Sequence, residues 1–220
     1  MKQYHKIQTI YKRDEKTKHI IEGDYSMPEF EFLKDCPWVF TEKVDGTNIR
    51  VMWDGANVTF GGKTDDAQMP VFLLYKLQEL FEGTPNKQKL AEQFGSTSEQ
   101  LMGAPLQVCL YGEGYGAKIQ KGGGNYNPDG VDFVLFDVKV GDWWLKREDV
   151  EDVAQKLGLR IVPIIGTGTL KEAVEMTRTG LKSTWGDFMA EGIVARPATE
   201  LFNRKGERII TKIKHRDFVS

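Results

Sequence analysis

The 220-residue chain is 40% hydrophobic and carries 5 Trp, 7 Tyr and 12 Phe, enough for a packed core and too many for a disordered chain. No apolar run approaches the roughly 20 residues of a membrane span, and the N-terminus lacks the apolar stretch of a secretory signal. A formal charge of −2 excludes a generic nucleic-acid-coating protein, and only two cysteines, Cys36 and Cys109, predict reduced, buried thiols in a cytoplasmic protein.

The first thirty residues are polar, with little periodicity. From Trp38 to Phe60 the pattern is β, and Asp54-Gly55 between two alternating runs predicts a hairpin turn. Met69 to Phe81 has helical spacing; after a break at Gly83–Pro85 the helix pattern resumes over Lys87–Phe94. Leu106 to Leu110 is a short apolar strand running into Tyr111-Gly112-Glu113, followed by a glycine-rich loop, Lys121 to Asn125. Phe133 to Val140 is the clearest buried strand. Arg147 to Leu157 is an amphipathic helix ending at Gly158, and Arg160 to Ile165 a strand. Thr169 and Glu172 have capping-box spacing and open another helix. Glu191 to Arg196 and Ile209 to Lys214 are the last strands. Strands cluster at both ends with helices interspersed, which predicts an α+β fold with mainly antiparallel sheets.

Three patterns carry no chemistry. Gly61-Gly62-Lys63-Thr64 resembles the end of a phosphate-binding loop, but the position five before Gly62 is Asn57, where glycine is required. Gly112 to Gly116 lacks dinucleotide-fingerprint spacing. His5, His19 and His215 have no zinc-ligand spacing.

The segment Thr41-Glu42-Lys43-Val44-Asp45-Gly46-Thr47-Asn48 holds the strongest signal. It places a lysine at a strand end, a setting in which an amine facing a pocket becomes a nucleophile. A lysine attacking a nucleoside triphosphate needs cations for the phosphates, a carboxylate for a metal, and apolar and polar contacts for the base and ribose. Lys212 and Lys214, two apart, share a strand face suited to an α-phosphate, or else to the solvated side of an edge strand. Glu191 opens a strand and suits a metal or its water, or a cap. Glu113 lies between glycines that permit close ligand approach, or form a tight turn. Phe133 lies opposite Val134 and Phe136, placed to stack on a base or to fill a two-sided core. Arg204, Lys205, Arg208, Lys212, Lys214 and Arg216 give a local basic stretch that reads either as a nucleic-acid contact or as a solvated strand.

In their order along the chain these motifs resemble the covalent nucleotidyltransferase superfamily of ATP-dependent ligases and capping enzymes. Lys43-Val44-Asp45-Gly46 matches its nucleophile motif; Tyr111-Gly112-Glu113, Phe133 to Asp137, Glu191 to Val194 and Lys212-Ile213-Lys214 match its later motifs. Within the superfamily the chain is most similar to the nick-sealing RNA ligases of phages and kinetoplastid RNA editing. Asn48 stands where those enzymes carry asparagine and DNA ligases usually carry arginine. Lys63 stands where they carry arginine, keeping the charge but losing the planar fork.

The resemblance implies antiparallel sheets flanked by helices enclosing a nucleotide pocket. It implies that Lys43 attacks the ATP α-phosphate to form lysyl-AMP, with Mg2+ or Mn2+ as cofactor. Glu42 and Phe133 are implied at adenine, Asn48 and Glu113 at the ribose, and Lys63, Lys212 and Lys214 at phosphates. Glu191 is implied at the metal, with Asp45 supporting the lysine or a metal-bound water. The expected function is ATP-dependent joining of 3′-hydroxyl and 5′-phosphate ends. The expected partner is RNA, as a nicked duplex or ends, with DNA as the alternative, and no membrane. The alternatives are a DNA ligase, a GTP-using capping enzyme and a non-catalytic RNA-binding module. The expected organisation is one monomeric nucleotidyltransferase domain over residues 1–220. No appended oligonucleotide-binding barrel or helical domain is expected, so an accessory nucleic-acid-binding protein is a candidate partner.

Overall fold

The computed structural model describes residues 3–95 and 107–219. Strands β1 (Gln8–Thr9), β2 (Tyr11–Arg13) and β3 (Ile20–Tyr25) precede helix α1 (Pro28–Phe32) and strand β4 (Trp38–Lys43). Then come β5 (Thr47–Trp53), β6 (Val58–Gly61), α2 (Val71–Phe81), α3 (Thr84–Phe94), β7 (Val108–Gly116), α4 (Gly123–Tyr126) and β8 (Val131–Val140). The order ends with β9 (Trp143–Trp144), α5 (Arg147–Leu157), β10 (Arg160–Ile161), β11 (Ile164–Gly168), α6 (Leu170–Thr179), β12 (Gly192–Pro197), β13 (Thr211–Lys214) and a 3-10 turn over His215–Asp217. The fold is α+β and mainly antiparallel, as the hairpin signals predicted; among the described residues the parallel pairs are β1–β13 and β10–β8.

The chain packs as two compact units built from segments distant in sequence. The first comprises Asp45–Ile161 and the N-terminal residues through Tyr4; the second comprises His5–Val44 and Val162–Ser220. In the first unit the sheet runs β10-β8-β7-β5-β6, with β9 on β8. Strand alternation sends Ile49, Val51 and Trp53 of β5 to one face, where they meet Leu73, Leu77 and Phe81 of α2 and Val150, Val153 and Leu157 of α5. Helix α5 stops at Gly158, whose φ of 69° is left-handed. On the opposite face the Tyr4 hydroxyl donates to Asp137 at 2.5 Å, and its ring meets Tyr111, Phe136 and Trp144 edge-on.

In the second unit the sheet runs β1-β13-β12-β4-β11, with the β2–β3 hairpin beside it. Trp38 and Phe40 of β4, Ile193 and Ala195 of β12 and Ile213 of β13 bury one face against Leu170, Ala173 and Val174 of α6. The predicted capping box opens α6, with Thr169 and Glu172 exchanging side-chain and backbone hydrogen bonds.

Several expectations are corrected. The strand read over Arg160–Ile165 is two short strands, β10 and β11, in different sheets, interrupted at Val162-Pro163. Helix α3 begins at Thr84, not Lys87, because Pro85 sits in its first turn, where the missing N–H costs nothing. The aperiodic N-terminal stretch holds three strands and a helix. Leu106, read as a strand residue, lies outside the described residues. Cys109 is buried as expected, but Cys36 is exposed.

Candidate active site

In the second unit, β4 alternates strictly: Trp38, Phe40 and Glu42 are buried, while Val39, Thr41 and Lys43 take the other face. Gly192 of β12 pairs with Lys43 on one side and with Lys214 of β13 on the other, so both lysines emerge on the same sheet face. Only glycine fits between them, since a Cβ at position 192 would fall 2.0 Å from the carbonyl oxygen of Ile213. Glu191, one residue earlier, bridges the pair: Oε2 accepts from Lys43 Nζ at 2.6 Å and Oε1 from Lys214 Nζ at 2.5 Å. The His215 backbone N–H donates to the Glu191 carbonyl at 3.0 Å and fixes the strand end.

Burial pushes the Glu191 carboxyl up. The Lys43 charge and the hydrogen bonds from both ammonium groups more than offset this and hold it below the usual carboxylate range. Lys212, paired with Val194, is half-buried on the same face as Lys214. The unit thus joins two lysines through one carboxylate, with Lys212 two positions along the same strand face. An arriving phosphate can take over the ammonium groups that Glu191 holds, freeing Lys43 once its proton is lost.

The structure gives Glu42 a different role from the adenine contact. Alternation turns its side chain away from Lys43 into the buried face, where it is 1% exposed. Oε1 accepts from Ser183 Oγ at 2.5 Å, and Oε2 accepts from the backbone N–H and hydroxyl of Thr184, each at 2.9 Å. Glu42 therefore locks the α6–β12 connection to the strand that carries Lys43.

The first unit carries the ribose and base candidates. Cross-strand register aligns Asn48 of β5, Glu113 of β7, Val134 of β8 and Arg160 of β10 in one row. Asn48 Oδ1 is buried with no hydrogen-bond partner, an acceptor suited to a ligand hydroxyl or amine. Phe133 is not on that row. It is 1% exposed on the opposite, core face and packs edge-on against Phe81 at 5.5 Å between ring centroids. Gly112 and Gly114 also face the core: Cβ atoms there would meet the Phe133 ring and Leu73, so their smallness serves packing, not ligand approach. Val134, beside Glu113, is the apolar residue of that row and is fully buried.

Lys63 is exposed just beyond β6. Its loop is held by a residue the sequence reading passed over, Arg50. That guanidinium is 1% exposed and donates to the Gly62 carbonyl at 2.9 Å and to Asp65 at 2.6 Å. A charge within an otherwise apolar strand, on the Asn48 side of the alternation, was the available signal. The Asp45 carboxylate accepts the Gly122 backbone N–H at 2.9 Å, tying the glycine-rich loop to the residue two after Lys43. Among the described residues no group of three or more His, Cys, Asp or Glu gathers to hold a metal ion. The Glu191 carboxylate supplies the hard oxygen donors that Mg2+ or Mn2+ take, since these ions bind through one or two carboxylates with phosphate and water oxygens.

The RNA ligase family model matches residues 36–214, which takes in Lys43, Asn48, Glu113, Glu191, Lys212 and Lys214. The chain belongs to the RNA ligase family. Its fold is that of solved structures of the Naegleria gruberi RNA ligase. An apo variant of that enzyme gives a TM-score of 0.66 at 15% identity, covering 98% of this chain and 56% of that one. A second variant, solved with ATP and Mn, gives 0.66 at 16% identity, covering 97% and 56%. A third, with AMP and Mn, gives 0.62 at 18% identity, covering 85% and 52%. This RNA ligase family member thus spans little more than half the length of those relatives.

Proposed function

We propose that the protein is an ATP-dependent RNA ligase working through a lysyl-AMP intermediate. The observation that carries the reading is the Lys43–Glu191–Lys214 cluster: a strand-end lysine whose carboxylate partner is shared with a second lysine on the same face. Membership of the RNA ligase family and the ATP- and AMP-bound relatives support it.

Lys43 loses a proton, and its Nζ attacks the ATP α-phosphorus. A P–N bond forms, the Pα–O bond to the β-phosphate breaks, and pyrophosphate leaves. Lys212 and Lys214 counter the phosphate charge as Glu191 gives up its hold on the lysines. Asn48 Oδ1 and Glu113 accept ribose hydroxyls, and Lys63, on its Arg50-braced loop, binds phosphate oxygens. Glu191 or Asp45 would hold a divalent cation, which when bound neutralises triphosphate charge. An RNA 5′-phosphate oxygen then attacks the lysyl-AMP phosphorus, breaking the P–N bond. A 3′-hydroxyl next attacks that 5′-phosphate, forming the phosphodiester and releasing AMP. Two free thiols suit a cytoplasmic setting, and nick sealing suits nucleic-acid repair.

Protein incubated with ATP and magnesium should gain the mass of one AMP, and Lys43→Ala should gain none. An unmodified wild type across pH and metal conditions refutes the covalent mechanism. Labelling by GTP instead of ATP would point to capping chemistry. A panel of nicked duplexes with RNA or DNA 3′-hydroxyl strands separates the two ligase readings; Asn48 favours RNA.

A further inference from the structure

The loop from Ala117 to Gly122, which leads into α4, has features that adenylylation leaves unused. Among the described residues, three non-glycine positions have positive φ, and two are here: Lys118 at 66° and Gln120 at 53°. Left-handed backbone at a side-chain-bearing residue costs free energy and persists only where the surroundings fix it. Two anchors do so. Ile119, between the two strained residues, is 2% exposed in the hydrophobic core. Gly122 donates to Asp45, and a Cβ at Gly122 or Gly123 would fall 2.7 Å from the Asp45 carboxylate or 2.9 Å from the Gly116 carbonyl.

With Ile119 pinned inward, Lys118 and Lys121 are exposed, and among the described residues neither has an ion-pair partner. The anchored loop presents two unpaired cations outward, an arrangement suited to an anion. The Asp45 tether fixes the loop within its own unit. The ATP phosphates already have Lys63, Lys212 and Lys214 as their assigned cations. For the polynucleotide phosphates the other candidate is the basic stretch Arg204 to Arg216, but its Arg208 is buried against Glu200 and its Lys212 and Lys214 serve the ATP phosphates.

We infer that the Lys118–Lys121 loop grips the RNA phosphate backbone, its shape held by Asp45. This deepens the ligase reading and rests on it. Asp45 is then a positioning residue for the RNA-binding loop.

The test compares wild type with the Lys118→Ala/Lys121→Ala double variant and with Lys118→Arg/Lys121→Arg. Self-adenylylation, which needs no RNA, reports folding and Lys43 chemistry and should give adduct in all three. Pre-adenylylated double-alanine enzyme should seal nicked RNA duplex at least about 10-fold more slowly at low RNA concentration. The slope of log affinity for that duplex against log salt should become shallower by roughly 1 to 2, as two phosphate contacts are lost. The arginine pair should restore both. Sealing and salt slope equal to wild type in the double-alanine variant overturn the inference while leaving the ligase reading intact. Absence of adduct in wild type instead defeats the ligase reading, and the salt slope still reports on the loop. If the double variant fails to fold, Lys121→Ala alone should show about half the slope change, and an unchanged slope there is equally decisive against the loop.

Discussion

Replacing Glu191 by Gln keeps the side-chain shape and removes the charge that two lysines share. The carboxylate accepts from Lys43 at 2.6 Å and Lys214 at 2.5 Å, with the Glu191, Lys43 and Lys214 side chains 11%, 19% and 15% exposed. Charge-assisted hydrogen bonds at low exposure contribute about 1.5–3 kcal/mol each. Desolvation of the carboxylate and residual solvent screening reduce the two together to roughly 2–4 kcal/mol. In the variant the amide oxygen still accepts from one ammonium, but the amide NH2 faces the other, so little is recovered. Urea unfolding at pH 7 should show that loss as a lower midpoint at unchanged slope. Because the native Glu191 pKa lies below its ordinary value of 4.5, the contribution is complete above that value and fades as pH falls through the lower native one. The wild-type advantage over Glu191→Gln should therefore vanish in acid. A loss under about 0.5 kcal/mol at pH 7, or one that persists unchanged in acid, would mean that the cluster is a solvated surface pair.

Two further outcomes are expected. Phe133→Ala should cost about 3–5 kcal/mol, the range for deleting a buried phenylalanine, and leave ATP affinity unchanged; weakened ATP binding at full stability would return Phe133 to the base. Burial pushes the Cys109 thiol up to about 11, so at mildly alkaline pH a thiol reagent should label Cys36 rapidly and Cys109 only on unfolding. Two fast equivalents in the native protein would contradict that burial.

Much of the architecture was legible because it rests on local periodicity. The spacing of Leu73, Leu77 and Phe81 marks the buried face of α2, and Thr169 with Glu172 announces α6. The lysines of the site were legible for the same reason, since Lys212 and Lys214 share a face by alternation. What failed depended on partners far away in sequence. Glu42 and Lys43 are neighbours, but only the sheet register of β4 decides that one faces the core and the other does not. Phe133 was open between two faces until Phe81 and Gly112 closed around it. Ser183 and Thr184 acquire meaning only through a carboxylate 141 positions earlier in the case of Ser183. The N-terminal strands have no pattern of their own: β1 is two residues long and is completed by β13.

The register of β13 also bears on how the protein is made. It lies between β1 and β12, so Thr211 meets Gln8 across the sheet. The first unit, nearly all within Asp45–Ile161, has its chain complete while the residues from Val162 onward are still to be made. The sheet bearing Lys43 must wait for its last strand, an inner one, to emerge, with Trp38 and Phe40 meanwhile lacking part of their cover. Closing so long a loop is slow, and the delay exposes apolar strand edges to aggregation. Vectorial synthesis therefore assembles the lysine cluster after the Asp45–Ile161 unit.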